Sequence, residues 1–172
     1  MTSAQPLSTI AVDFCGHNWI LVTDSTVFRG NAPARIDDKG RLKIPGDFRT
    51  PLETKYGREL FVTSLSGEFV RIYPMPVWLE IEQKLGAMPS THPSKLRFLD
   101  RVNYFGQVGE LDVQGRVLIP VRLRESATMT GDVDVLGQHS WLDIWNHDRL
   151  LTKMEREPYS EADAHALSGF GI

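Results

Sequence analysis

At 172 residues, with 41% hydrophobic and 24% charged positions, the chain has enough apolar side chain to bury one large core or two small ones. No run approaches the roughly 18 consecutive apolar residues of a membrane-spanning helix, so no membrane partner is expected. A net charge of −3 argues against a wholly basic nucleic-acid binder, so any surface that attracts phosphate must be local.

The chain opens without Lys or Arg before Arg29, and Asp13 interrupts its first apolar run, which is unlike a secretory signal; a cytoplasmic location is expected. Cys15 is the only cysteine and can form neither an internal disulfide nor a cysteine-based zinc site, so it reads as an incidental thiol. Charge then concentrates. Between Val27 and Arg49 stand six basic residues (Arg29, Arg35, Lys39, Arg41, Lys43, Arg49) and three acidic ones, Asp37, Asp38 and Asp47. Ala34–Ile36 and Leu42–Ile44 are predicted as short strands joined by Asp37-Asp38-Lys39-Gly40, whose Gly40 takes positive φ without steric cost, giving a hairpin. Pro45 ends the second strand and is predicted to be the first residue of a short helix through Phe48 and Arg49.

Two further strands follow, Leu60–Thr63 and Phe69–Tyr73, then a helix over Pro76–Leu85 with Trp78, Ile81 and Leu85 on one face. Residues 86–93 are rich in Gly, Pro, Ser and Thr and read as a linker. Ser94–Asn103 is predicted as a helix with Leu96, Leu99 and Val102 inward. Its Lys95, Arg97 and Arg101 are expected on a solvated face or in ion pairs.

The same order then begins again. DVQGRVLIPVRLR at Asp112–Arg124 repeats DDKGRLKIPGDFR at Asp37–Arg49, with Asp, Gly, Arg, Ile, Pro and the last Arg identical in register. Val133–Leu136 and Trp141–Trp145 match the two later strands, and Asn146–Met154 is a helix with Asn146 as N-cap. Two copies at a long period describe duplication of a small domain and not a solenoid. Beyond Pro158 no periodicity remains, and a frayed tail is expected; Glu155, Glu157, Glu161 and Asp163 offset the earlier basic stretch.

The paired D-x-[KQ]-G-R-x-x-I-P motifs, Phe28-Arg29-Gly30, and the strand ends Tyr73-Pro74 and Ile144-Trp145 resemble the MraZ family over roughly Val27 to Met154. The resemblance implies an α+β fold of tandem AbrB-like swapped-hairpin β domains with short helices packed around them. The expected divisions are a first domain over 31–78, a linker and helix over 79–105, a second domain over 106–149, and a helix end and tail over 150–172. It also implies closed homo-oligomeric rings, association with the nucleoid, and binding of short direct repeats in double-stranded DNA. Those repeats would lie upstream of the division and cell-wall gene cluster, the protein's own promoter included.

Carried over by position, the family's D-x-x-x-R element falls on Asp37–Arg41 and Asp112–Arg116, whose two arginines would reach DNA. Lys39 in the first turn is matched by Gln114 in the second, and Asp38 by Val113. A lysine neutralises a phosphate, whereas Gln114 can only hydrogen-bond it or an adenine edge, so the first turn is expected to bind more strongly, Asp38 partly cancelling the gain. Val27 stands where family members begin with Met. Residues 1–26 are therefore expected to be an overextended reading of the gene or a dispensable extension.

Arg41 and Arg116 are the candidate base readers, because the planar guanidinium makes two hydrogen bonds to guanine O6 and N7. The competing reading is that each arginine braces its turn by pairing with the aspartate four residues earlier, and the two roles are compatible. Lys39, Lys43, Arg35 and Arg29 are candidate phosphate contacts, with Arg41 and Lys43 on one side of their strand. Asp37, Gly40, Asp112 and Gly115 support the turns. Arg49 and Arg124 suit structural ion pairs equally well and are left outside the candidate site.

No cofactor, metal or small-molecule substrate is expected. His17, His92, His139, His147 and His165 are scattered, and the chain has no H-E-x-x-H, G-x-S-x-G or glycine-rich phosphate loop, so an enzyme is not expected. An AbrB-like antitoxin or protein scaffold is the other alternative. Duplication argues against it, while the acidic C-terminus keeps it open.

Overall fold

A computed structural model describes residues 27–172; residues 1–26, and with them the expected extension and Cys15, lie outside the described residues. Apolar alternation and turn glycines set eight strands and six helices among the described residues. In chain order these are β1 (Asn31–Arg35), β2 (Arg41–Lys43), α1 (Gly46–Tyr56), β3 (Glu59–Thr63), β4 (Val70–Pro74), α2 (Met75–Gly86) and α3 (Pro93–Phe105). The second copy supplies β5 (Gln107–Glu110), β6 (Arg116–Leu118), α4 (Val121–Ser126), β7 (Asp132–Gln138), β8 (Trp141–Asn146), α5 (His147–Arg156) and α6 (Glu161–Ser168).

The strands form a six-stranded antiparallel sheet in the order β1-β7-β8-β4-β3-β5 and a separate two-stranded ribbon, β2-β6. The two copies are thus interleaved. The expected hairpin between β1 and β2 closes through a single bridge, Ile36 to Leu42, and its arms then part. β1 runs along β7 of the second copy, β5 runs along β3 of the first, and β2 pairs with β6. Strand alternation dictates which face is buried but not which strand lies alongside, so the partner was not written in the local pattern.

The registers reveal a pseudo-twofold axis. It passes between Leu42 and its counterpart Val117, which face each other in the ribbon, and between Arg71 and Asp143, which face each other where β4 meets β8. Leu42, Ile44, Val117 and Ile119 are each at most 1% exposed and carry the ribbon's inner face into a core with Phe28, Phe48, Leu52 and Leu123. At about 1.5–3 kcal/mol per fully buried side chain, this apolar contact holds the ribbon against the sheet.

A second cluster on the sheet joins Phe61, Tyr73, Trp78 and Val102, with Phe98 and Leu99 packed against it. The Trp78 ring stacks on Phe61 at 4.2 Å between centroids and its Nε1 donates to Glu82 at 2.7 Å. α3 therefore turns Phe98, Leu99, Val102 and Phe105 inward, whereas Leu96, expected inside, is exposed. Lys95 donates to the Met88 carbonyl at 3.1 Å and ties the linker to the helix.

The main differences from the expected helix boundaries lie at α1, α4 and α6. Pro45 and Pro120 are N-caps and not first helical residues, because their extended ψ of 146° and 139° lies outside the helix. α1 continues past Arg49 to Tyr56, with Pro51 inside it, since Leu52 gains a buried position against the core. The tail beyond Pro158 contains α6, whose start is fixed by a reciprocal Ser160–Asp163 capping box that a periodicity reading overlooks. The expected cap on α5 is present: the Asn146 side chain accepts from the Arg149 N–H at 3.2 Å.

Candidate nucleic-acid interface

Both D-x-x-G-R turns fold alike, and the aspartate is the reason. Asp37 Oδ1 accepts the backbone N–H of Lys39 at 3.0 Å and of Arg41 at 2.9 Å, while Oδ2 takes Arg41 Nε and Nη2, each at 2.8 Å. Asp112 repeats this with Gln114 and Arg116: 2.9 Å to both backbone N–H groups and 2.7 Å to both Nε and Nη2. The Arg41 backbone N–H foremost, and its guanidinium next, hold the Asp37 carboxyl below its ordinary value. The Arg116 backbone N–H does the same for Asp112, outweighing the upward push of burial, with its guanidinium adding to the effect.

Each arginine therefore spends one edge of its fork, Nε with Nη2, on its own turn. Three of the five guanidinium N–H donors, on Nη1 and the far side of Nη2, stay clear of that pair. The side chains keep 29% and 25% exposure, so they lie against the turn and do not project freely. Bracing and recognition are thereby compatible in one side chain.

Gly40 and Gly115 sit at φ +77° and +73°, where an L side chain is strained. A Cβ on Gly40 would lie 2.3 Å from Arg124 Cζ, and one on Gly115 would lie 2.5 Å from Arg49 Cδ. Each copy's helix arginine thus packs beneath the other copy's turn. Arg49 pairs with Glu53 at 3.1 Å and donates to the Val113 carbonyl at 3.3 Å; Arg124 donates to the Ile119 carbonyl at 3.1 Å. The Arg49–Glu53 ion pair is one of the roles offered for Arg49, but packing beneath the other copy's turn was not expected. Its only signal was the identical last arginine of both motifs.

The ribbon brings several candidates to one surface. Leu42 and Val117 point inward, so Arg41, Lys43, Arg116 and Leu118 share the outward face. Arg41 stands directly opposite Leu118 and Lys43 directly opposite Arg116. The two arginines are diagonal neighbours, about 7–8 Å apart. Backbone bonds from Ile44 to the Gly115 carbonyl (2.9 Å) and from Ile119 to the Gly40 carbonyl (3.0 Å) seat each turn beside the other copy's strand end. Strand exchange thus puts Lys43 next to the second turn, where it offsets the neutral Gln114. Lys39 and Gln114 lie exposed on their turns.

Arg35 is exposed on β1, 3.8 Å from Asp132, and lines a shallow depression with Lys43 and Pro45. Arg29 is not brought to this face. It follows Phe28, which bridges to His139, at the opposite end of β1. It lies six positions before Arg35 along the chain, a span of up to about 20 Å.

The comparisons with known proteins agree with this doubled architecture. Residues 27–101 and 107–169 match a family model described as "MraZ protein, putative antitoxin-like". The chain belongs to the MraZ family. The transcriptional regulator MraZ of Acidobacterium capsulatum is 49% identical over 146 residues, 85% of this chain and 100% of the relative. Those of Koribacter versatilis and Herpetosiphon aurantiacus are 46% and 37% identical, again over 85% of this chain and 100% of each relative. The two tandem matches fit duplicated AbrB-like domains in an α+β fold.

Proposed function

We propose that this protein regulates transcription by binding double-stranded DNA in a sequence-specific way, with the outward face of the β2–β6 ribbon entering the major groove. One observation carries the reading: two arginines, each pre-set by an aspartate, stand on one exposed ribbon beside a lysine. A two-stranded ribbon fits the major groove, and the unspent edge of each guanidinium matches guanine O6 and N7. Fixing the side chain before binding lowers the ordering cost of that contact. Lys39, Lys43 and Arg35 contact phosphate, and Gln114 contacts phosphate or an adenine edge.

The sites are short direct repeats upstream of the division and cell-wall gene cluster, the protein's own promoter among them, and the protein acts at the nucleoid. So few cations give a single copy weak affinity. A homo-oligomer, closed into a ring, engages successive repeats and gains effective concentration without new contacts. Footprinting upstream of its own gene, with Arg41→Ala and Arg116→Ala beside the natural protein, tests this. Protection of spaced repeats that each substitution weakens about 5- to 150-fold is expected, as for loss of one bidentate base contact. Unchanged affinity in both variants would dismiss the base-reading role.

A further inference from the structure

The outward face of the ribbon carries one side chain that is not a cation. Leu118, 50% exposed, stands among Arg41, Lys43 and Arg116, directly across from Arg41. Its counterpart in the first copy is Lys43, directly across from Arg116. The backbone therefore obeys the pseudo-twofold through Leu42 and Val117, but the chemistry does not: one end offers arginine with leucine, the other arginine with lysine.

In the major groove the apolar feature of a base edge is the C5-methyl of thymine. Cross-strand neighbours have Cβ atoms about 4.5–5.5 Å apart, a spacing that reaches from one base pair to the next, since successive pairs rise about 3.4 Å. We propose that Leu118 packs on the C5-methyl of a thymine in the base pair adjoining the guanine contacted by Arg41, and that Lys43 takes a phosphate at the equivalent place beside Arg116. The recognised site is then not palindromic, although the ribbon's backbone is twofold. Each bound unit acquires a direction, as an array of head-to-tail repeats requires. A second copy of the chain is the other occupant that suits an exposed leucine, but the same faces of two copies would bring three cations against three. The inference rests on the DNA-reading role proposed above.

The test starts from the tightest duplex selected by the full-length natural protein from a randomised pool, with each thymine then replaced singly by uracil, which removes only the methyl. One thymine beside a guanine should prove sensitive, its replacement weakening binding about fourfold, the effect of removing one methyl-sized group from apolar contact. Leu118→Ala should bind the unmodified duplex that much more weakly and show no response to uracil there. Leu118→Lys should also lose the response, while its affinity falls more steeply with salt, by about 0.9 in the log–log slope. Sensitivity at no thymine, sensitivity retained by Leu118→Ala, or a changed oligomeric state in that variant overturns the assignment of Leu118 alone. Failure of selection to enrich any sequence overturns the base-reading role itself, and Leu118 with it.

Discussion

Replacing Asp143 by Ala should destabilise the protein by about 3 kcal/mol because of where that carboxylate sits. Asp143 is 4% exposed and takes Arg71 Nε at 2.6 Å and Nη2 at 2.8 Å. The Arg71 guanidinium lies 5.0–5.9 Å from the centroids of Phe69, Tyr73 and Trp141. Burial pushes its pKa down, but Asp143 more than compensates and holds the group above its ordinary value, charged at every working pH. Removing one partner of a buried pair typically costs 3–5 kcal/mol, because the other charge is left uncompensated. Arg71 keeps 20% of its side-chain exposure, which sets the lower end of that range. Thermal unfolding followed by circular dichroism should show a midpoint lower by roughly 6–12 °C. Phe69 stacks on Trp145 at 4.6 Å and Tyr73 meets Trp141 at 5.5 Å, so the ring environment is alike on both sides of the axis. The exchanged pair Arg71→Asp with Asp143→Arg should therefore recover most of the loss. A fall of less than about 1 kcal/mol for Asp143→Ala, or no recovery in the exchanged pair, would refute the idea that this pair couples the two copies.

Lys43→Ala should reduce the log–log salt dependence of duplex binding by about 0.9 with little change in sequence preference, read by mobility shift across a salt series; an unchanged slope removes Lys43 from the phosphate contacts. Gly40→Ala combines a strained positive φ with crowding of Arg124, whereas Gly57→Ala, at φ +84° with nothing within 4 Å of its Cβ, has the strain alone. Chemical denaturation should find both destabilised by more than about 1 kcal/mol and Gly40→Ala the more so; equal losses would deny the arginine brace. His147 Nδ1 lies 2.7 Å from Asp134 Oδ2, and that hydrogen bond, with the carboxylate's charge, raises the imidazole pKa. Its stabilising effect is full below the unfolded-state value near 6.5 and is lost as pH rises through the higher folded value. A proton NMR titration should give a midpoint above 6.5 that Asp134→Asn lowers, and a midpoint at or below 6.5 contradicts the pairing.

Much of this molecule was legible along the chain because its information is local. The D-x-x-G-R turns, the proline stops, the period-2 strands and the Asn146 cap each follow from a few neighbouring residues. Strand partnership does not. Ala32 and Ala34 give β1 an inward face, but either a hairpin mate or a strand of the other copy could hydrogen-bond along its edge, and the partner is β7. Leu96 misled for a related reason: helical spacing accommodates two overlapping stripes, and Phe98 and Val102 take the inward one by filling the space beside Phe61 and Trp78, while Phe105 enters the main core. At the candidate interface, the sequence singled out Arg41, Arg116 and Lys43 but compared the turns copy against copy. Folding places Lys43 beside Arg116 and Leu118 beside Arg41, so the ends of the ribbon differ in a way no single motif displays.

The central ion pair and the unequal ribbon are connected. Were two first copies to pair, Arg71 would face Arg71 across the axis, and two second copies would set Asp143 against Asp143; like charges opposite each other in a sheet repel. Only a first copy with a second gives the hydrogen-bonded pair observed, so the charges select the unlike combination. That selection is what lets the ribbon be asymmetric, since a ribbon from like copies would carry either two Lys43 positions or two Leu118 positions and read both ends alike. A buried pair on the far sheet thus fixes which side chains meet on the exposed ribbon, and a substitution that relaxes it should blur the direction of DNA recognition as well as lower stability.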